Sequence, residues 1–305
     1  MDSAPACFLP FAARDIDDPS LLSNKKQINE SSESRRRCLE LLRNSLKNLE
    51  GIEPCLDENF LLRFLRVSKF DVSKALQRQK KYHQQSDAIL DAFKKCSSSL
   101  YKLRNLNHLW VSPYRLKDNS ALIIGLNREV DYRKFTFAER FYLEIIGLNE
   151  LLDNPLNQIC GMTLIMDLEG FGIPGLRACT LGWLNFFVDL MLNAFPCRVK
   201  AVHVVNAPLL FNSVYKIGYP FLSKKIQNRI IFHSNKDEWK SLHQSIPADV
   251  LPEQYSGKIK NEALINGLEN REELDKKFRN LLVFGCSKTK QRRHSVLKKL
   301  IRSSE

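Results

Sequence analysis

The residues best spaced for chemistry are Gly170-Phe171-Gly172-Ile173-Pro174-Gly175, which match GxGxxG and follow an apolar run from Met162 to Leu168. In a dinucleotide site such glycines let backbone amides approach a pyrophosphate at the start of a helix. Here Asp167 and Glu169 stand at the mouth and repel phosphate. The acid required about twenty residues on falls at Asp189, inside an apolar helical pattern. A loop leaving a strand is the better reading. The histidines (His83, His108, His203, His233, His243 and His294) include no i, i+4 pair, and none lies beside a cysteine pair. The sequence contains no GxSxG, HExxH or Walker lysine loop. No catalytic residue, metal ligand or cofactor is expected, and the chain reads as a protein without enzymatic activity.

What remains is apolar and cationic. After Asn206-Ala207-Pro208, the residues Leu209, Leu210, Phe211, Val214, Tyr215, Ile217, Tyr219, Phe221, Leu222 and Ile226 crowd one amphipathic segment. It ends in Lys224, Lys225 and Arg229, the last two four apart and so on one helix face. Such a segment can seat its apolar side at the headgroup–acyl boundary while its cations meet lipid phosphate. A core helix with a solvated charged edge shows the same pattern. Gly218 and Pro220 interrupt it, which suits a movable flap. Arg198 and Lys200 share strand parity and therefore direction. Spacing alone does not fix whether they approach Lys225 and Arg229; if they do, the four cations would form a cup for a polyphosphorylated headgroup.

The elements that must position these residues change period along the chain. Residues 1–33 are polar and contain prolines, and are expected to lack structure. From Ser34, Leu39, Leu42, Leu46 and Leu49 recur at helical intervals until Gly51 and Pro54. Asp57 and Asp71 precede two further helices, so residues 34–98 read as a small helical bundle. Strands are expected over Ala121–Leu126, Met162–Leu168, Val199–Val205 and Ile230–His233, with helices over Thr136–Leu152, Leu176–Phe195, Phe211–Arg229 and onward from Asp237. This alternation over residues 99–260 predicts an α/β domain whose mostly parallel sheet is covered by helices. Residues 261–305 read as a helical, then basic, tail.

The chain has 305 residues and a formal net charge of +13. Seven cations (Lys288, Lys290, Arg292, Arg293, Lys298, Lys299 and Arg302) against the single acid Glu305 concentrate that charge at the C-terminus. Basic patches attract nucleic acid or anionic lipid. No zinc-finger spacing or RNP-like motif accompanies the charge, so no nucleic-acid partner is expected. Ser295 follows Arg292-Arg293-His294, a basic context in which phosphate would release the tail from acidic lipid. The cysteines form no CxxC pair, and Met1 to Phe11 lacks the basic n-region of a secretory signal. The longest apolar run, Thr180 to Leu192, carries Asp189 and stops at Pro196. A reduced, cytoplasmic monomer that associates reversibly with membranes is expected.

Several segments resemble the CRAL-TRIO lipid-binding family in order and spacing. They are Phe60-Leu61-Leu62-Arg63-Phe64-Leu65-Arg66 with Phe70-Asp71-Val72, then Asp167-Leu168-Glu169-Gly170, Val202-His203-Val204-Val205-Asn206-Ala207-Pro208, Pro220-Phe221-Leu222 and Leu251-Pro252-Glu253-Gln254-Tyr255-Ser256-Gly257. The resemblance runs from about Ser34 to Lys258 and is nearest the branch of tocopherol transfer protein, the clavesins and cellular retinaldehyde-binding protein. It implies a hydrophobic ligand (tocopherol-, retinoid-, sterol- or phospholipid-like) held in an apolar pocket. That pocket would be lined by Phe141, Leu148, Met162, Met166, Phe187, Leu190, Met191, Cys197, Val199 and Val202. The gate implied comprises Phe211, Val214, Tyr215, Ile217, Phe221 and Leu222, and the phosphoinositide contacts are Arg198, Lys200, Lys225 and Arg229. Two functions follow from the resemblance: lipid transfer at phosphoinositide membranes, or phosphoinositide-reading adaptation in endosomal traffic without transfer as its main role.

Overall fold

A computed structural model describes residues 8–97, 106–178, 180–209, 211, 215, 219, 224–282 and 284–286. Among the N-terminal helices, Ser31 caps α2 (Ser32–Lys47): its hydroxyl accepts the Ser34 amide at 3.0 Å, and the Ser34 hydroxyl accepts the Ser31 amide in return. Cys38, Leu39, Leu42 and Leu46 form its buried face. The Asp57 carboxylate accepts the Phe60 amide to open α3 (Glu58–Val67), and Asp71 accepts the Lys74 amide to open α4 (Val72–Ser97).

The segment expected to lack structure is folded within its described part. A turn at Pro19–Leu21 leads into α1 (Leu22–Gln27), and Leu21 and Ile28 are fully buried. Glu30 then pairs with Arg66 at 2.7 Å, both side chains being almost inaccessible, and Arg66 also donates to Gln158 at 2.7 Å. Two isolated apolar anchors and one buried ion pair carry no periodicity, so composition alone could not reveal them.

The main sheet has six strands in the order β6 (Ile230–Phe232), β5 (Val199–Val205), β4 (Met162–Asp167), β3 (Ala121–Leu126), β2 (Leu109–Val111) and β7 (Ile265–Asn266). Strands β3 to β6 run parallel, whereas β2 and β7 are antiparallel additions. Parity and register divide the side chains into two faces. Leu122, Ile124, Leu126, Ile165 and Val205 point outward against Trp239, Leu242, Ile246, Val250, Leu251 and Tyr255. Ala121, Ile123, Gly125, Met162, Leu164, Met166, Val202 and Val204 point inward.

On the inner side lie α5 (Phe137–Leu151), capped reciprocally by Thr136 and Glu139, then α6 (Pro155–Cys160), α7 (Gly172–Ala178) and α8 (Leu181–Asp189). A side chain at Gly147 would lie 2.6 Å from Leu109 Cδ2, so its absence lets α5 settle on β2. The single helix expected over Leu176–Phe195 is divided. Thr180 caps a fresh start by accepting the Trp183 amide, and Leu190–Ala194 widens into a π-turn.

The expected helix of the tail is present, joined by two short strands. Residues 265–266 supply β7, α9 (Arg271–Leu282) buries Leu274, Phe278 and Leu282 in the main core, and β8 (Gly285–Cys286) pairs with β1 (Ile52–Glu53). One hydrophobic core runs from Leu21 to Leu282, so the N-terminal helices, sheet and α9 fold together. The basic cluster at 288–302 and Ser295 lie outside the described residues.

Candidate functional site

The inner face of the sheet changes character along the strands. At its amino end Ala121, Ile123 and Met162 are fully buried. Gly125, Leu164, Met166 and Val202 are only half-buried, although β3, β4 and β5 are interior strands, while Val204 beside Met166 is buried. A Cβ built at Gly125 would meet nothing among the described residues nearer than the Ile165 carbonyl oxygen at 3.9 Å. Gly125 pairs in register with Met166, so one apolar stretch of central sheet is left partly accessible. Close-packed interiors rarely leave such room beside central strands.

The ten expected pocket residues divide along this gradient. Met166, Phe187, Met191, Val199 and Val202 are half-buried, whereas Phe141, Leu148, Met162, Leu190 and Cys197 are buried in the core. Phe141 meets Phe187 edge-on at 4.7 Å, joining α5 to α8. Cys197 lies 3.6 Å from Met162 Sδ, and burial pushes its thiol up to about 12, an apolar end wall rather than a reactive sulfur. Three of the ten are methionines, whose unbranched side chains adapt to irregular space.

Of the expected gate, Phe211 and Tyr215 are described. Phe211 packs on Phe171 at 5.8 Å beside the Leu168–Val204 cluster, and Tyr215 meets Phe232 at 4.8 Å. Val214, Ile217, Phe221 and Leu222 lie outside the described residues. The chain leaves β5 at Asn206, whose φ of 52° places a non-glycine residue in the left-handed region. Its side chain donates to Asp167 at 2.9 Å, and Tyr255 donates to the same carboxylate at 2.8 Å. Three motif segments distant in sequence thus meet at one buried acid. The GxGxxG loop borders a separate cleft of about 1050 Å³ at the carboxyl ends of β4 to β6. Its lining is mixed, with Glu169, His233, Asn235 and Lys236 beside Leu168, Pro208, Phe232 and Trp239. Gly175 packs against the Phe171 ring, where a Cβ would come within 2.7 Å, so this glycine serves helix packing.

The cations gather at the opposite, amino end of the strands. Arg198 and Lys200 flank Gly161, their Cγ atoms 3.5 and 3.2 Å from where its Cβ would stand. A register shift between Val199 and Ala201 leaves Lys200 at the irregularity. Lys200 pairs with Asp118 at 3.0 Å, Arg198 donates to the Ile159 carbonyl, and Arg229 donates to the Val199 carbonyl at 2.6 Å. Burial lowers the Arg198 pKa, and the Arg229 charge lowers it further. The side chain of Lys225 lies outside the described ones. Asp118 carried no signal in the sequence. Gly125 did, since an isolated glycine inside a strand pattern marks space or close approach.

Among the described residues, no helix is long and apolar enough to cross a membrane, and no group of three or more His, Cys, Asp or Glu could hold a metal. The CRAL/TRIO domain family matches residues 108–257, which hold β2 to β6 and both ends of the inner face. The chain is 30% identical over 238 residues to an alpha-tocopherol transfer protein-like protein of Mus musculus, covering 76% of this chain and 68% of that one. Its Homo sapiens counterpart is 29% identical over the same coverage. Clavesin-2 of Rattus norvegicus is 26% identical over 215 residues, covering 67% of this chain and 62% of that one. With a matching domain, a mostly parallel sheet flanked by helices and relatives spanning three quarters of its length, this chain belongs to the CRAL/TRIO family.

Proposed function

We propose that this protein carries one hydrophobic molecule between membranes and docks on phosphoinositide-containing bilayers to exchange it. The observation that supports the reading is the half-buried apolar stretch Gly125, Leu164, Met166 and Val202 on the inner face of interior strands. Burying a lipid there gains roughly 25 cal/mol per Å² of apolar surface, which favours capture. The segment from Phe211 to Leu222 acts as the gate, and the ten residues named above as wall. The names of the mouse and human relatives speak for transfer of a tocopherol-like lipid.

Docking is assigned to Arg198, Lys200, Lys225 and Arg229; supporting it, Arg198 and Lys200 flank Gly161 and Arg229 donates to the Val199 carbonyl between them in sequence. Acidic headgroups there offset the cost of exposing gate aromatics to the bilayer. The protein works as a monomer at the cytoplasmic face, with endosomal membranes among its targets. A donor-to-acceptor vesicle assay tests the proposal. Transfer of a fluorescent lipid should rise when acceptor vesicles contain phosphatidylinositol bisphosphate, and Lys225→Glu/Arg229→Gln should abolish that rise. Vesicle binding without lipid movement would instead favour the adaptor role of the clavesin type, for which the C-terminal cluster of seven cations speaks.

A further inference from the structure

The wall of the proposed chamber contains one helical turn of uncommon geometry, and its support comes from the N-terminal helices. Leu190 to Ala194 form a π-turn, closed by the Phe195 amide donating to the Leu190 carbonyl at 2.7 Å. Such turns are rare inside α-helices and occur frequently at functional sites. The sequence makes this one hard to end. The residue four past Leu192 is Pro196, which has no N–H, so the Leu192 carbonyl lacks its helical donor. The chain leaves the helix at Phe195, where ψ is 132°, so that carbonyl has no helical donor either. Arg78 on α4 supplies both, donating to the Leu192 carbonyl at 2.6 Å and to the Phe195 carbonyl at 2.9 Å. Its planar fork suits two acceptors at once. Gln85, two helical turns further along the same face of α4, donates to the Asp189 carboxylate where the π-turn begins. Asn193 donates to the other Asp189 oxygen at 2.7 Å. One helix therefore grips the turn at both ends.

We propose that Arg78 is a positioning residue which, by holding the π-turn, sets the length of lipid chain that the chamber accepts. One residue turns a helix by about 100°. Relaxing the π-turn to an α register would therefore rotate Leu190, which is fully buried, and Met191 and Leu192, which are half-buried, against the sheet. Two residues past the Phe195 carbonyl that Arg78 holds, Cys197 ends the same wall against Met162. A wall fixed in one packing rejects a chain that overfills it. A released turn yields to the longer chain. This inference rests on the carrier reading and gives it a basis for choosing among ligands.

The test titrates the full chain with a ladder of fluorescent lipids that share one headgroup and differ only in acyl-chain length. The native chain should bind best at one length and fall away beyond it. In Arg78→Met the ratio of long-chain to short-chain affinity should rise about fivefold or more. Arg78→Lys, which keeps the charge but lacks the fork, should shift the ratio less. Hydrogen exchange reads the cause: in lipid-free Arg78→Met the segment 189–196 should exchange faster, while α2 and α3 exchange as in the native chain. Should Arg78→Met fail to fold, Gln85→Leu, which frees the other end of the turn, carries the same two measurements. Equal weakening at every length, an unaltered length profile, or unchanged exchange at 189–196 overturns the positioning role and leaves the carrier reading standing. Failure of every ladder member to bind the native chain refutes the carrier reading itself, and the length role falls with it.

Discussion

Gly125 is the residue at which the proposed chamber is most directly tested. Its backbone is not in the left-handed region, so a larger side chain is conformationally acceptable there. Gly125→Leu should therefore fold with a melting temperature equal to or above that of the native chain, because glycine weakens a strand interior. It should nevertheless reduce lipid binding tenfold or more by filling the space over Met166. Loss of stability without loss of binding would show that the position is ordinary core. At the cationic end, Asp118 holds Lys200 and occupies the place a lipid phosphate would take. Although burial alone raises it, hydrogen bonds from Ser120 and Lys200 leave the Asp118 carboxyl below its usual range. Asp118→Asn should release Lys200 and tighten binding to phosphoinositide vesicles about two- to fivefold, an effect that fades as salt rises. Equal affinity at low salt would count against that role.

At the scale of elements, legibility followed periodicity. The strands at 121–126 and 199–205 and the helix after Thr136 were plain because apolar residues alternate or recur in each and a capping box marks the helix start. The short additions β2, β7 and the β1–β8 pair were missed, since two or three residues contain no measurable period. The break at residues 178–181 was missed because Thr180 caps a helix inside an unbroken apolar run. The N-terminal anchors were missed because the buried pair Glu30–Arg66 couples residues 36 apart. That pair makes a prediction. Glu30→Ala strands a buried guanidinium and should cost about 3–5 kcal/mol, whereas Glu30→Leu/Arg66→Met should be nearly neutral. Urea unfolding of both variants distinguishes these outcomes, and similar losses in the two would contradict the account. The shared direction of Arg198 and Lys200 was legible as parity, but the pairing of Lys200 with Asp118 depends on how the 116–120 turn folds back, which no local rule fixes.

Across the whole molecule, the buried histidines give stability a pH dependence. His203 is held to about 4, by burial and then by His233, with which it shares a 2.8 Å hydrogen bond; His108 is held to about 3, and burial also lowers His233. Each binds fewer protons folded than unfolded, where a histidine titrates near 6.5. Stability should therefore be full above that value and should fall as pH drops through 6.5 toward 4. Thermal melts between pH 7.5 and 5.5 should show this positive slope, and a flat profile would contradict neutral burial of these rings. The same layout separates two ends of one sheet, with cations at the amino ends of the strands and the gate hinge at Asn206 at the carboxyl ends. Between them lies the space that the family assignment and the lipid reading share.

Native mass spectrometry of the full chain purified from eukaryotic cells tests that space most directly. One lipid molecule per chain is expected, displaced by organic extraction and missing from Gly125→Leu prepared the same way. A native chain that runs at its bare mass and takes up no lipid from vesicles would contradict the chamber, whatever the sequence relatives do.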